Sequence, residues 1–196
     1  MFAMLDNPIL KKSLESAQFF YSFIRAPRQI GACIPSGRQL TNTMAKTLNL
    51  TPVTHVLELG AGTGNITKKL LEAGIEINNL TVVEKDQTMA RKIEKALPQL
   101  SINTLNAIHI KEYLNTKGIH QVSHVLSSLP LLSISKRDKA LILNQIHQLL
   151  GPHGIFVQFS YGLKSPIEAD KRFRRIAVKH APLNIPPAKV WVFKKV

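Results

Sequence analysis

The residues best suited to chemistry lie in Val56-Leu57-Glu58-Leu59-Gly60-Ala61-Gly62-Thr63-Gly64, an apolar, β-prone run that ends in a glycine turn and passes into a helical pattern. Glycines let a backbone turn sharply and approach a ligand with no Cβ between them. A helix start behind such a turn offers free N–H groups and the positive end of a dipole. The spacing is G-x-G-x-G, followed by Asn65. Dinucleotide sites use G-x-G-x-x-G, whose third glycine packs helix on strand. Glu58, just ahead of the glycines, suits a ligand whose amino-acid end carries an ammonium, and would sit badly against a pyrophosphate. A second acid, Glu84, closes Val82-Val83-Glu84-Lys85-Asp86, 24 residues after Gly60. An acid at a strand end is as often an N-cap or a surface charge. At this distance from a glycine turn it can accept both hydroxyl hydrogens of a ribose.

A further group of polar side chains follows the fourth predicted strand, in Ser127-Ser128-Leu129-Pro130-Leu131-Leu132. Open α/β sheets bind ligands beyond the carboxyl ends of their strands, so this loop is expected to face the reacting group. The hydroxyls of Ser127, Ser128 and Tyr161 belong to the same edge, and Tyr21 joins them if the first helix folds over the pocket as a lid. Against this, a single tyrosine is as often a half-buried packing residue. Seven histidines, at 55, 109, 120, 124, 147, 153 and 180, are scattered. His120 and His124 are four apart but lie where a loop enters a strand, and Cys33 is the sole thiol. No metal site is expected.

These groups need elements to hold them. Leu10, Leu14, Ala17, Tyr21 and Ile24 recur on one helical face, so residues 1–26 read as a helix that Pro27 ends. A loop over Gly31–Pro35 leads to a helix near Gly37–Leu48, with Ser36 as N-cap. Alternation follows. Strands are expected at Val53–Leu59, Leu80–Glu84, Ser101–Leu105, Val122–Ser127 and Ile155–Ser160. Helices are expected at Thr63–Ala73, near Gln87–Ala96 and at Lys136–Leu150, the last closed by a turn at Gly151-Pro152-His153-Gly154. Strand–helix alternation with short loops implies a parallel sheet covered on both faces. A short helical stretch around Ile167–Lys171 precedes two β-prone runs, Phe173–His180 and Lys189–Lys194, which suggest an antiparallel addition to that sheet.

With 196 residues the chain suits one domain: an N-terminal helical segment over 1–50 and a ligand-binding core over 51–196. The 26 Lys+Arg against 12 Asp+Glu leave a formal charge of +14, which favours an anionic partner, either nucleic acid or a membrane surface. The cations gather at the two ends. Lys11, Lys12, Arg25, Arg28, Arg38 and Lys46 lie in 1–46, while Lys164, Lys171, Arg172, Arg174, Arg175, Lys179, Lys189, Lys194 and Lys195 lie in 164–196. The plain alternative for each cluster is a solvated face. A lone cysteine, no apolar run near the ~20 residues of a transmembrane helix and no signal-peptide pattern point to the cytoplasm. If a membrane matters, the protein lies on it.

The strand-end acids and glycine turn resemble the motifs of class I S-adenosylmethionine-dependent methyltransferases. That resemblance implies a Rossmann-like fold, with a mostly parallel seven-stranded sheet, helices on both faces and a terminal antiparallel strand. It also implies S-adenosylmethionine as cofactor. Contacts are expected from Glu58, Gly60, Ala61, Gly62, Gly64, Glu84 and Lys85, and from Ser127. The third strand should end near the adenine, at Asn106 and Ala107, where the family often has Asp; the Asn106 amide oxygen can accept the same bond. In ribosomal RNA adenine dimethylases the loop after strand four resembles Asn-Leu-Pro-aromatic, the ring stacking on the target base. Here Ser replaces the Asn and Leu131 the ring.

The bacterial phospholipid N-methyltransferases are more similar over most of the chain. The similarity is carried by Phe23–Pro35 with Gly31-Ala32 and Pro35-Ser36, by Ser127–Leu132, by Phe156-Val157-Gln158-Phe159-Ser160-Tyr161-Gly162 with Ser165-Pro166, and by Ile185-Pro186-Pro187-Ala188-Lys189-Val190-Trp191-Val192. It implies methylation of phosphatidylethanolamine and its methylated derivatives by an enzyme peripheral to the inner face of the cytoplasmic membrane. Pro35, Ser36, Leu129 and Pro130 would contact the lipid, Tyr21, Ser128 and Tyr161 would serve the chemistry, and nucleic acid would not be the partner. Two other readings stand beside it: an RNA or small-amine methyltransferase, supported by the basic tail, and a non-catalytic membrane-binding protein, opposed by the intact Glu58–Gly64 loop.

Overall fold

A computed structural model describes residues 38–48, 50, 51, 54–161, 164–167, 170–182, 184 and 187–196. The expected first helix, and with it Tyr21, Pro35 and Ser36, lies outside the described residues. Helix α1 spans Arg38–Ala45. There follow β1 (Val56–Leu59), α2 (Asn65–Glu72), β2 (Leu80–Val83), α3 (Gln87–Ala96), β3 (Ile102–Asn103), α4 (Ile110–Thr116), β4 (Val122–Ser127), α5 (Lys136–Leu149), β5 (Leu150–Tyr161), β6 (Phe173–Ala181) and β7 (Ala188–Lys195). The strands form one sheet in the order β3-β2-β1-β4-β5-β7-β6. Strands β1 to β5 pair in parallel, and β7 runs antiparallel to both neighbours. The last strand of the chain is thus inserted between β5 and β6, and the edge strand β6 runs in the direction of β1–β5.

Both faces are covered. Leu40 and Met44 of α1, Ile66 and Leu70 of α2, and Ala90 and Ile93 of α3 bury against Val56, Val82, Leu126 and Val157. Ile110 and Leu114 of α4 and Ile142, Ile146 and Leu149 of α5 bury against Leu57, Val125 and Phe156 on the other face. Each pair within a helix is spaced by three or four residues, the interval that returns a side chain to one face. Two of the helices, α3 and α5, start with side-chain caps. Asp86 Oδ1 accepts the Met89 N–H at 2.9 Å, and Ser135 Oγ accepts the Asp138 N–H at 3.0 Å.

Two local expectations need correction. Gly151–Gly154 is not a free turn: it belongs to β5, where Val122 pairs with Leu150 and His124 with Ile155. Two steps along β4 are matched by five along β5, so the glycines form a bulge within the ladder. Residues 168 and 169 of the stretch around Ile167–Lys171 lie outside the described residues, while Ile167 and Lys171 sit in turns. The third strand is also shorter than expected, Ile102–Asn103 only. Among the described residues no helix is long and apolar enough to cross a membrane.

Candidate active site

The carboxyl ends of β1, β2, β4 and β5 meet at one edge, and the glycine turn lies across it. Gly60, Gly62 and Gly64 have φ of 77°, 56° and 76°, a left-handed backbone that only glycine adopts freely. The turn is tied to the end of β2: the Gly60 and Ala61 N–H groups donate to Val83 O at 2.8 and 3.2 Å. A Cβ on Gly62 would meet nothing closer than Gly60 O at 4.0 Å, so that side of the turn is open.

Glu58 is fully buried at the end of β1. Its Oε2 accepts the Thr67 hydroxyl at 2.7 Å, while Oε1 is buried without a hydrogen-bond partner. Burial pushes its carboxyl up to about 7, against the bonds from Thr67, and the nearby Glu84 charge adds a little. A buried carboxylate with one orphan oxygen calls for a cationic or N–H donor. The ammonium of an amino acid is such a donor.

Glu84 does more than its strand-end position suggested. Its Oε2 accepts the Gly62 N–H at 2.7 Å and its Oε1 the Asp86 N–H at 2.8 Å. One carboxylate thus fixes both the glycine turn and the loop that starts α3. Each oxygen keeps a second lone pair, enough to receive the two hydroxyls of a ribose. Lys85 is exposed beside it. Asn106 stands at the start of a short 3-10 turn, Ala107–His109, with its Oδ1 accepting the Ile108 N–H at 3.3 Å; Ala107 is buried.

The loop after β4 closes the edge. Ser127 is buried, and its Oγ accepts the Leu129 N–H at 3.2 Å. The Ser128 N–H donates to Leu59 O at 2.8 Å, while its Oγ is buried without a partner. Leu129 packs directly on the turn, its Cδ2 3.0 Å from where a Gly60 Cβ would lie. Pro130 O accepts the Ser133 and Ile134 N–H groups. Leu131 is buried and Leu132 is 45% exposed. Tyr161 ends β5, half-buried, its ring edge-on to Phe159 at 5.3 Å. Burial pushes its phenol up to about 12, against a hydrogen bond with Asn184. It therefore stays protonated at neutral pH, able to orient a polar group but not to act as a phenolate base.

Sequence reasoning missed Thr67 and Gln158. Thr67 was legible only as a hydroxyl on the buried face of a helix, and Gln158 only as a lone amide inside an apolar strand. Among the described residues no three His, Cys, Asp or Glu side chains gather as metal ligands do.

The site therefore fits a cofactor with an amino-acid end at Glu58 and a ribose at Glu84. Residues 31–137, more than half of the chain, match the family model described as ribosomal RNA adenine dimethylase. An ornithine lipid N-methyltransferase from Singulisphaera acidiphila is 27% identical over 177 residues, taking in 87% of this chain and 91% of that protein. A ribosomal RNA small subunit methyltransferase A from Chlorobium chlorochromatii is 30% identical over 87 residues, 44% of this chain and 32% of that protein. Among solved structures, the Burkholderia thailandensis 1,6-didemethyltoxoflavin-N1-methyltransferase, with bound 1,6-didemethyltoxoflavin and S-adenosylhomocysteine, superposes with a TM-score of 0.67. That fit covers 100% of this chain and 93% of the other at 16% identity, a likeness of fold. The cofactor is S-adenosylmethionine. The chain is a Rossmann-like S-adenosylmethionine-dependent methyltransferase, and it belongs to the ribosomal RNA adenine dimethylase family.

Proposed function

We propose that this methyltransferase acts on the amino headgroup of a membrane phospholipid, phosphatidylethanolamine and its methylated derivatives, at an anionic bilayer surface. The observation that carries this reading is the extent of its likeness to a lipid-modifying enzyme: 91% of the ornithine lipid N-methyltransferase is matched, against 32% of the ribosomal RNA enzyme. The loop after β4 supports it. Base stacking needs an exposed ring there, whereas Leu131 is buried and the exposed residue, Leu132, is aliphatic.

The cofactor supplies a methyl group on a sulfonium; the chain must orient the acceptor and manage its proton. Glu58 and Thr67 hold the amino-acid end, and Glu84 the ribose. A primary ammonium, with a pKa near ~10, must lose a proton before its lone pair can attack. The Ser128 Oγ, buried and unpartnered, is the group offered to the amine. Tyr161, kept protonated by burial, orients the headgroup rather than removing the proton, which leaves through water. Docking falls to the cations of the edge strand: Arg174, Arg175 and Lys179 are all exposed on β6. Near an anionic leaflet each contributes about 1 kcal/mol, fading within a Debye length. In this reading the segment over 1–50 forms a lid or membrane contact ahead of the core over 51–196, and the enzyme is peripheral on the inner face of the cytoplasmic membrane.

The family model favours one second reading, methylation of RNA. Labelled S-adenosylmethionine offered with phosphatidylethanolamine vesicles, ornithine lipid vesicles or ribosomal RNA separates these readings. Label in phosphatidylethanolamine is expected. Label in RNA alone would overturn the lipid reading, and label in ornithine lipid alone would keep the lipid amine and change the headgroup.

A further inference from the structure

We propose that Gln158 is a positioning residue, holding the loop that meets the methyl acceptor at a fixed distance from the cofactor turn. Gln158 is fully buried on β5, in register with Ser127 of β4 and Trp191 of β7. Its amide orientation is set by its partners. Nε2 donates to Leu129 O at 3.0 Å and to Phe159 O at 2.8 Å, and two carbonyl oxygens can only be met by the NH2 end.

Leu129 is the point where this clamp reaches the cofactor site. Its side chain packs on the turn, with Cδ2 3.0 Å and N 3.5 Å from where a Gly60 Cβ would stand. Its N–H is held by Ser127 Oγ, and its carbonyl also receives the Leu131 N–H at 2.8 Å. A line of direct contacts therefore runs from the middle of the sheet, through Gln158 and Leu129, to the glycine turn. With both lone pairs of Leu129 O committed, that carbonyl is not offered to the amine, which leaves Ser128 Oγ beside it. The neighbouring Ser128 is tied to β1 through Leu59 O.

The chemistry explains why distance matters. Methyl transfer is an in-line displacement, with the acceptor lone pair behind the carbon, and a 1 Å misplacement can cost roughly 100-fold in rate. Gln158 adds little to the fold itself. Its Oε1 is buried without a donor, and that loss offsets the two bonds its other end makes. An unbranched apolar side chain of similar size would serve packing as well.

The inference rests on the 128–132 loop facing the acceptor, and its test separates that from the choice of lipid. Full-length wild type, Gln158→Met, Leu129→Ala and the double variant are compared by melting temperature, S-adenosylhomocysteine affinity, amide hydrogen exchange over 127–133, and kcat and KM on phosphatidylethanolamine vesicles. Gln158→Met should melt within a few degrees of wild type and bind the cofactor product within about threefold. Exchange at Leu129 and Leu131 should rise about tenfold or more, and kcat should fall roughly 10- to 100-fold with KM within threefold. Leu129→Ala, which leaves the strands intact, should lower kcat similarly, and the double variant should be less than additive. Unchanged exchange and kcat in Gln158→Met would overturn the proposal. So would a parallel loss of melting temperature and cofactor affinity, the mark of a merely structural residue. If wild type does not methylate the lipid, the lipid reading fails while the exchange measurement still decides the clamp.

Discussion

Replacing Glu58 with Gln removes a titratable group from the buried end of β1, where the proposed cofactor contact lies, and should act on stability and on affinity in opposite directions. The carboxyl is fully buried and pushed from the ordinary 4.5 to about 7. Between those values the native protein holds a proton that the unfolded chain has released. Native stability contributed by this group is complete below about pH 4.5 and is lost as pH rises through about 7. At 1.36 kcal/mol per pH unit the total is about 3 kcal/mol. Gln keeps the shape and stays neutral at every pH, so Thr67 can still donate to its oxygen, and the slope disappears. Without cofactor, Glu58→Gln should melt close to wild type at pH 5 and about 6–12 °C above it at pH 8. S-adenosylhomocysteine, which carries the same ammonium, should bind the variant roughly 10- to 100-fold more weakly at pH 8 through loss of a charge-assisted bond. Binding near pH 6.5 should release a proton from wild type and none from the variant, read by calorimetry in buffers of different ionisation enthalpy. A melting difference that is equal at pH 5 and pH 8, or an unaltered affinity, would refute the assignment.

Gly62→Val should stay folded and lose cofactor binding. The added Cβ meets only Gly60 O at 4.0 Å, so the fold bears little beyond the backbone strain of φ 56°, about 1–2 kcal/mol, while the branched side chain fills the open side of the turn. Circular dichroism and calorimetry check both halves. Gly64→Val, by contrast, drives its Cβ to 3.1 Å from Ile93 Cγ1 and Cγ2 on α3, and should melt well below Gly62→Val. Ser160→Ala removes the oxygen that accepts the Trp191 Nε1–H at 2.8 Å. Leaving that buried indole N–H unpaired should cost about 1–3 kcal/mol in urea unfolding.

Much of the fold could be read from local pattern. Helix α3 and strand β4 fall where their periodicity put them, because a buried face repeats every 3.6 or 2 residues and leaves that interval in the chain. The glycine turn could be read because a positive φ at three alternate positions admits almost only glycine. The misplaced piece is one where local chemistry competed with pairing: Gly151–Gly154 has turn residues, yet the ladder between β4 and β5 absorbs it as a bulge.

The sequence by itself determined the cofactor class, since the acids and glycines whose pattern points to it sit within 27 residues, Glu58 to Glu84, at the ends of two consecutive strands. Only the tertiary structure decided how those residues are held. Periodicity says which face a strand buries but not which neighbour it pairs with, so the insertion of β7 between β5 and β6 is invisible in one dimension. The same holds for bonds that cross between elements: Thr67 on Glu58, Glu84 on Gly62, and Gln158 on Leu129 each join residues whose separation carries no local signal. Such contacts exist only once the sheet has brought its carboxyl ends to one edge: there an acid expected as a ligand contact is found tethering the glycine turn, and a glutamine read as part of a strand is found bonded to the loop above it.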